Sequence, residues 1–246
     1  MAILYGIHAV EQALAAGRPL ERLLVARGRG GRRIQAAIAT ARAAHSAVRF
    51  ISREELDRLT GTRKHQGVAA VTGQKRYTDL EELIAQASTP SLFLLLDGVE
   101  DPRNLGALLR TAHCTGVDGV ILPERRAAGI TPVVEKVSAG ASEHVAVARV
   151  TNLGRALQRL KEAGCWLVGL DERAPQPFTE VHFTDSIGVV LGGEGKGLHE
   201  HVRAKCDFVV SIPTFGAIAS LNVSVAAGVL LYEVVRQRQG KEGERR

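Results

Sequence analysis

Apolar residues are spaced in two ways along this chain, and the change comes near residue 90. Before it, short apolar runs alternate with amphipathic ones. GIHAVEQALAAG (6–17) sets Ile7, Val10 and Leu14 three and four apart, the spacing of one helical face. ERLLVA (21–26) predicts a short strand and RRIQAAIATARAAH (32–45) an Ala-rich helix. VRFIS (48–52) predicts a strand, REELDRLTG (53–61) a helix opened by Ser52, and GVAAVTG (67–73) a closing strand. These elements predict a compact α/β/α domain over residues 1–75. A polar stretch follows, read as a linker over 76–90 with one short helix capped by Asp79.

From residue 91 the apolar runs become continuous. LFLLLDGV (92–99), VDGVILP (117–123), VAVARV (145–150), CWLVGLDE (165–172), IGVVLG (187–192) and FVVSIP (208–213) have the composition of strands buried on both faces. Helical patterns lie between most of them, at 104–116, 152–164 and 198–206. Strands alternating with helices predict a mostly parallel sheet in a second domain over 91–240, covered on both faces. Ligands of such sheets bind beyond the carboxyl ends of the strands, so the strand-to-helix loops are where chemistry is expected.

Three of those loops stand out. In DGVEDPRNLGALLR (97–110), Asp101 and Asn104 are candidate helix caps with Pro102 in the first turn, and Arg110 follows six residues after Asn104. Taken alone, Asn104 reads as a cap and Arg110 as a surface cation. LGGEGKGL (191–198) packs Gly192, Gly193, Gly195 and Gly197 around Glu194 and Lys196. Glycines let a ligand approach the main chain closely. The loop lacks the GK-[ST] of a phosphate loop and the GxGxxG of a dinucleotide site, which argues against nucleoside triphosphates and dehydrogenase chemistry. In SIPTFGAIASLNVSVAAGVLLYEVVRQR (211–238), Ser220, Asn222 and Ser224 stand at the entrance of a long apolar helix. Ser220 is the plain candidate for its cap, and buried polar groups there need partners.

Charge sharpens the division. Residues 1–75 carry 13 Lys/Arg against 5 Asp/Glu, whereas the remainder is close to neutral within a net charge of +6. A basic module on a near-neutral body suits a polyanion such as RNA, whose binding rests on phosphate neutralisation. Arg27, Arg29, Arg32, Arg33, Arg63 and Lys64 are the candidate phosphate contacts. Cys114, Cys165 and Cys206 are far apart and form no CxxC pair, as expected of reduced thiols. The eight histidines are read as showing no HxH or HExxH spacing, no GxSxG elbow is present, and no metal is expected. No apolar run approaches the roughly 20 residues of a membrane span, and the N-terminus has no basic leader, so a cytoplasmic protein is expected.

NxGxxxR (Asn104, Gly106, Arg110), LGGEGKGL (191–198) and IP…G…SLNVSVAAGVLLYE (212–233) resemble, in order and in loop context, the three motifs of the SpoU family of RNA ribose 2′-O-methyltransferases. YGIHAVEQAL (5–14) and HQGVAA (65–70) are similar to the substrate-binding domain that some members carry. The whole chain is similar to members that methylate a guanosine ribose in 23S rRNA. The resemblance implies a deep trefoil knot in the second domain, a homodimer, and S-adenosylmethionine as methyl donor. It implies cofactor contacts from Gly192, Ile212 and Leu221, and a catalytic set of Asn104, Arg110, Glu194, Ser220 and Asn222. Arg as the proton acceptor conflicts with a guanidinium pKa above about 12; gripping a phosphate and steadying the developing alkoxide suits it better. The expected roles of Asn104, Ser220 and Asn222 are to orient the ribose, and that of Glu194 is to fix Arg110. A tRNA ribose methyltransferase, a resistance methyltransferase acting on rRNA, and a non-catalytic RNA-binding protein are the rival readings.

Overall fold

The computed structural model of the chain describes residues 2–73, 75–193, 197–216 and 220–243, with side chains as far as Gly240. The chain forms two compact units. One comprises Met1–Arg76 and Gly129–His144, and the other Tyr77–Ala128 and Val145–Arg246.

The first unit runs β1 (Ala2–Tyr5), α1 (Ile7–Ala15), β2 (Leu20–Ala26), α2 (Arg32–Ala43), β3 (Ala47–Ile51), α3 (Arg53–Thr60) and β4 (Val68–Thr72). Its sheet has the order β1-β4-β2-β3, with β2 and β3 parallel and β4 antiparallel to both β1 and β2. Side chains of a strand alternate between faces, and here the alternation builds two cores. Leu23 and Val25 pack with Ile34 and Ile38 of α2, while Leu24 and Ala26 pack with Leu56 of α3. The expected α/β/α layering therefore holds. Ser52 caps α3 by accepting from Glu55 N–H at 3.1 Å. The four-residue β1 was not anticipated, because an edge strand that short carries too little alternation to register.

A segment assigned from the sequence to the second domain belongs here instead. Gly129–His144 contributes α6 (Pro132–Val137) to the first unit. Arg18 Nη1 donates to Glu135 Oε1 at 2.5 Å and to Glu143 Oε1 at 2.6 Å, and all three side chains are 10% exposed or less. The other Arg18 donors reach Thr72 Oγ1 at 3.1 Å and the Gly73 carbonyl at 2.7 Å. Burial pushes the Glu135 carboxyl above its ordinary range, against the opposing pull of Arg18.

The second unit contains α4 (Leu80–Ala85), β5 (Leu92–Asp97), α5 (Pro102–Cys114), β6 (Gly119–Pro123), β7 (Ala146–Val150), α7 (Leu153–Glu162), β8 (Trp166–Leu170), β9 (Gln176–Pro177), β10 (Ile187–Gly192), α8 (Glu200–Arg203), β11 (Phe208–Ser211) and α9 (Val223–Gly243). Its seven strands take the order β7-β6-β5-β10-β8-β11-β9, and every pairing is parallel. Phe93, Leu95 and Val190 face a core with α7, α8 and Leu83 of α4. On the opposite side α5 packs along α9. Residues 77–90 are not a free linker. Asp79 caps α4 as expected, Leu83 is buried, and Thr78 bridges to Ala148 beside β7.

Candidate active site

Because β5, β8, β10 and β11 are neighbours and parallel, their carboxyl ends, Asp97, Leu170, Gly192 and Ser211, open on one edge of the sheet. The loops that leave this edge enclose two cavities. The first, of about 500 Å³, is lined by Leu170–Arg173, Leu191–Gly193, Gly197, Ile212, Thr214, Ser220–Val223 and Ala226. The second, of about 600 Å³, is lined by Asp97–Asp101, Asn104, Arg126, Gly193, Gly197 and His199. Gly193 and Gly197 belong to both, so the two cavities share a wall.

That wall is backbone. Gly197 N–H donates to the Gly193 carbonyl at 3.2 Å, and Gly193 N–H to the Asp97 carbonyl at 2.8 Å. A Cβ on Gly192 would lie 2.0 Å from the Gly197 carbonyl carbon, and one on Gly193 would lie 2.1 Å from the Gly98 oxygen. The glycines here are thus a steric requirement of main chain packed on main chain. Apolar side chains (Leu170, Leu191, Ile212, Val223, Ala226) supply much of the remaining lining. Asp171 faces the same cavity and is held by Arg173, whose Nε and Nη2 donate to its carboxylate at 3.1 and 3.0 Å. Those bonds keep the Asp171 carboxyl below the usual carboxylate range.

The long C-terminal helix starts differently from the simplest expectation. Asn222, rather than Ser220, is its cap: the Asn222 side-chain oxygen accepts from Ser224 N–H at 2.9 Å. Its amide nitrogen then donates to Asn104 Oδ1 at 3.1 Å. Asn104 is itself not the cap of α5. Asp101 fills that place, accepting from Arg103 N–H at 2.8 Å, and Asn104 lies buried one turn inside. One amide pair, 118 residues apart in sequence, therefore joins a lining residue of the first cavity to one of the second.

The structure thus gathers Gly192, Ile212, Ser220, Leu221 and Asn222 around one cavity and Asn104 in its neighbour. Arg110 lines neither. Six residues place it about 240° around the helix from Asn104, and it is exposed, with no ion pair to any described residue. Glu194 lies outside the described residues. In the first unit all six candidate phosphate contacts are exposed. Ala26 N–H donates to the Gly67 carbonyl at 2.9 Å, which brings the loop bearing Arg27 and Arg29 beside the one bearing Arg63 and Lys64. Arg33 is partly neutralised, with Nε donating to Glu11 Oε1 at 2.9 Å. The HQG phrase is structural: buried His65 accepts from Gly67 N–H at 2.9 Å, and Gln66 Oε1 accepts from Ile7 N–H at 3.1 Å, tying that loop to the start of α1.

Two site residues escaped sequence inspection. Asp97 is buried at the end of β5, and its carboxylate accepts from both the His199 N–H, at 2.8 Å, and His199 Nδ1, at 3.0 Å. The available signal was an acid closing an apolar run. Contrary to the expectation of no HxH spacing, His199 and His201 form one, with ring centroids 5.8 Å apart. Among the described residues no group of three or more His, Cys, Asp or Glu is placed to hold a metal ion.

Comparison with known proteins adds five findings. Residues 91–232 match the model of the SpoU rRNA Methylase family, and residues 3–78 match that of RNA 2′-O ribose methyltransferase substrate binding. The chain is 45% identical over 240 residues to the 23S rRNA (guanosine-2′-O-)-methyltransferase RlmB of Coxiella burnetii, covering 96% of each. It is 41% identical to a putative TrmH family tRNA/rRNA methyltransferase, YacO, of Bacillus subtilis, covering 95% of this chain and 94% of that one. Among solved structures, the SpoU methyltransferase AviRb of Streptomyces viridochromogenes, in complex with the cofactor AdoMet, superposes with a TM-score of 0.84 at 27% identity, over 97% of this chain and 90% of that one.

Proposed function

This chain belongs to the SpoU rRNA methylase family, and from that membership we propose that it moves a methyl group from S-adenosylmethionine to the 2′-hydroxyl of a guanosine ribose in 23S rRNA. One observation carries the reading. The Asn222–Asn104 hydrogen bond ties together two adjoining cavities, one fit for a donor and one for an acceptor. The first has the size of a small-ligand site, walls divided about evenly between apolar and polar surface, and main-chain groups at Gly192 and Ile212 to read a purine edge. Its glycine wall is main chain packed on main chain, which fixes the shape of the cavity. When bound, the cofactor supplies an activated methyl; the protein's part is to align it with an oxygen.

The remaining roles are carried over from the family motifs. Asn104 and Asn222 orient the ribose, and Ser220 holds the loop ahead of the helix. Arg110, exposed on α5, steadies the phosphate and the developing alkoxide from the far side of the RNA or from a second copy of the chain. The second copy is itself part of the proposal. α9 leaves Val225, Val229 and Tyr232 exposed at spacings of four and three, an apolar stripe suited to a homodimer. The knotted threading implied by the family resemblance belongs to the proposal too. Arg27, Arg29, Arg32, Arg33, Arg63 and Lys64 bind rRNA phosphates from the first unit.

The test is direct. The protein is incubated with labelled S-adenosylmethionine and separated rRNA and tRNA, and the product is mapped. A single 2′-O-methylguanosine in 23S rRNA is expected. Label confined to tRNA would transfer the activity to the substrate class that the B. subtilis relative's name also admits. A methylated base, or no product, would refute ribose methylation.

A further inference from the structure

Ribose methylation releases a proton, and none of Asn104, Arg110, Ser220 and Asn222 is a suitable acceptor. As the oxygen–methyl bond forms, the methyl–sulfur bond breaks, its electron pair stays on sulfur, and the hydroxyl proton must go elsewhere. A guanidinium holds its own protons too tightly, and amides and serine are too weak as bases. The second cavity contains an imidazole, the side chain whose ordinary titration lies nearest neutrality. We propose that His199 is the general base of the reaction, with its Nε2 taking the 2′-hydroxyl proton, and that Asp97 is the residue that positions it. This rests on the ribose methylation reading above.

Three observations support the assignment. His199 lines the cavity that shares Gly193 and Gly197 with the donor cavity and also contains Asn104, so an acceptor ribose there would stand beside it. Asp97, 8% exposed, accepts a hydrogen bond from Nδ1–H at 3.0 Å while its other oxygen accepts from the His199 main chain at 2.8 Å. That pairing fixes the tautomer with a lone pair on Nε2 and steadies the imidazolium once formed, the arrangement an acid–base histidine requires. The His199 side chain is 36% exposed, which leaves a route for the proton to return to water. The other charged groups facing it are Glu100, Asp101 and Arg126 of the same cavity and the His201 ring. Asp101 is engaged as a helix cap, and carboxylates are weaker bases than imidazole by about two pKa units.

The test uses the full chain with its RNA and measures single-turnover methyl transfer against pH. Wild type should gain rate tenfold per pH unit on the acid side. His199→Ala should be slower by about 10²-fold and lose that acid limb, and added imidazole should restore part of the rate. His199→Gln should match His199→Ala in rate, and both should bind cofactor and RNA within threefold of wild type. Independently of turnover, ¹⁵N spectra of the wild-type ring should show protonated Nδ1 and bare Nε2, a preference that Asp97→Asn should relax. A His199→Ala rate within threefold of wild type with the acid limb intact would overturn the proposal. So would affinity losses that account for the rate loss in both variants, or a ring protonated at Nε2. If wild type methylates no ribose at all, it is the function that fails; if it methylates ribose and His199→Ala does so equally, only the base assignment falls.

Discussion

Replacing Gly192 with Ala adds a single methyl group at the wall between the two cavities. The φ of Gly192 is one that an L residue adopts freely, so the substitution carries no backbone penalty and the cost is steric. The new Cβ would meet the Gly197 carbonyl carbon at 2.0 Å, its oxygen at 2.2 Å and Leu198 N at 2.4 Å, where ordinary contact begins at 3.4 Å. Main chain must therefore retreat by about 1.4 Å, and no side-chain rotation can absorb that. Overpacking of this kind costs roughly 1–3 kcal/mol. For a unit of this size that is a fall in Tm of about 2–12 °C. The retreat also moves the wall that closes the donor cavity, so S-adenosylmethionine affinity should drop at least tenfold, or about 1.4 kcal/mol. Titration calorimetry and thermal melts with and without cofactor measure both effects. Gly164→Ala is the control: Gly164 has φ +85 with nothing within 4 Å and lies after α7. It should lose about 1 kcal/mol through strain alone and bind cofactor normally. A Gly192→Ala protein with unchanged affinity and melting would show that the glycine wall is not what shapes the cavity.

Arg18→Met should destabilise the first unit by about 3–5 kcal/mol, because it strands two buried carboxylates. A carboxyl whose pKa is raised on folding binds protons more readily when folded, so its ionisation costs stability as pH rises above the ordinary glutamate range. The Arg18→Met deficit in urea melts should therefore narrow as pH falls toward 4.5, and a deficit independent of pH would contradict this. Arg110→Ala should slow methyl transfer well beyond threefold while leaving cofactor binding intact; a smaller effect removes Arg110 from the reaction. Arg29→Ala with Arg63→Ala should weaken RNA binding and lower the slope of log K against log salt by about 2, as filter binding between low and moderate salt would reveal. Val229→Glu should convert a dimer to a monomer in sedimentation, and a dimer surviving it would place the interface elsewhere.

The sequence revealed strands better than junctions. Runs such as LFLLLD and IGVVLG are apolar throughout, and the buried central strands they predict are β5 and β10. Ser52 and Asp79 were legible as caps because a cap is a local event, settled within three residues. Asn104 was misread as a possible cap for the same reason: its partner is Asn222, and nothing local signals an amide 118 residues away. The Asp97–His199 pair was hidden likewise, since it depends on β5 and β10 being neighbours in the sheet. The placement of Gly129–His144 rests on ion pairs to Arg18, which periodicity does not register. The three loops singled out all leave one edge of the sheet, but which of their residues share a cavity was decided by strand order.

The excursion of Gly129–His144 bears on how such a protein can be taken apart. The polypeptide passes from one unit to the other at residues 76/77, 128/129 and 144/145. A gene fragment beginning at residue 77 would not encode a self-contained catalytic piece. It would carry sixteen residues, counted from that boundary, whose acids Glu135 and Glu143 had lost their cation. Swapping the first unit for another, in the laboratory or over evolution, would require exchanging two separate stretches of coding sequence together.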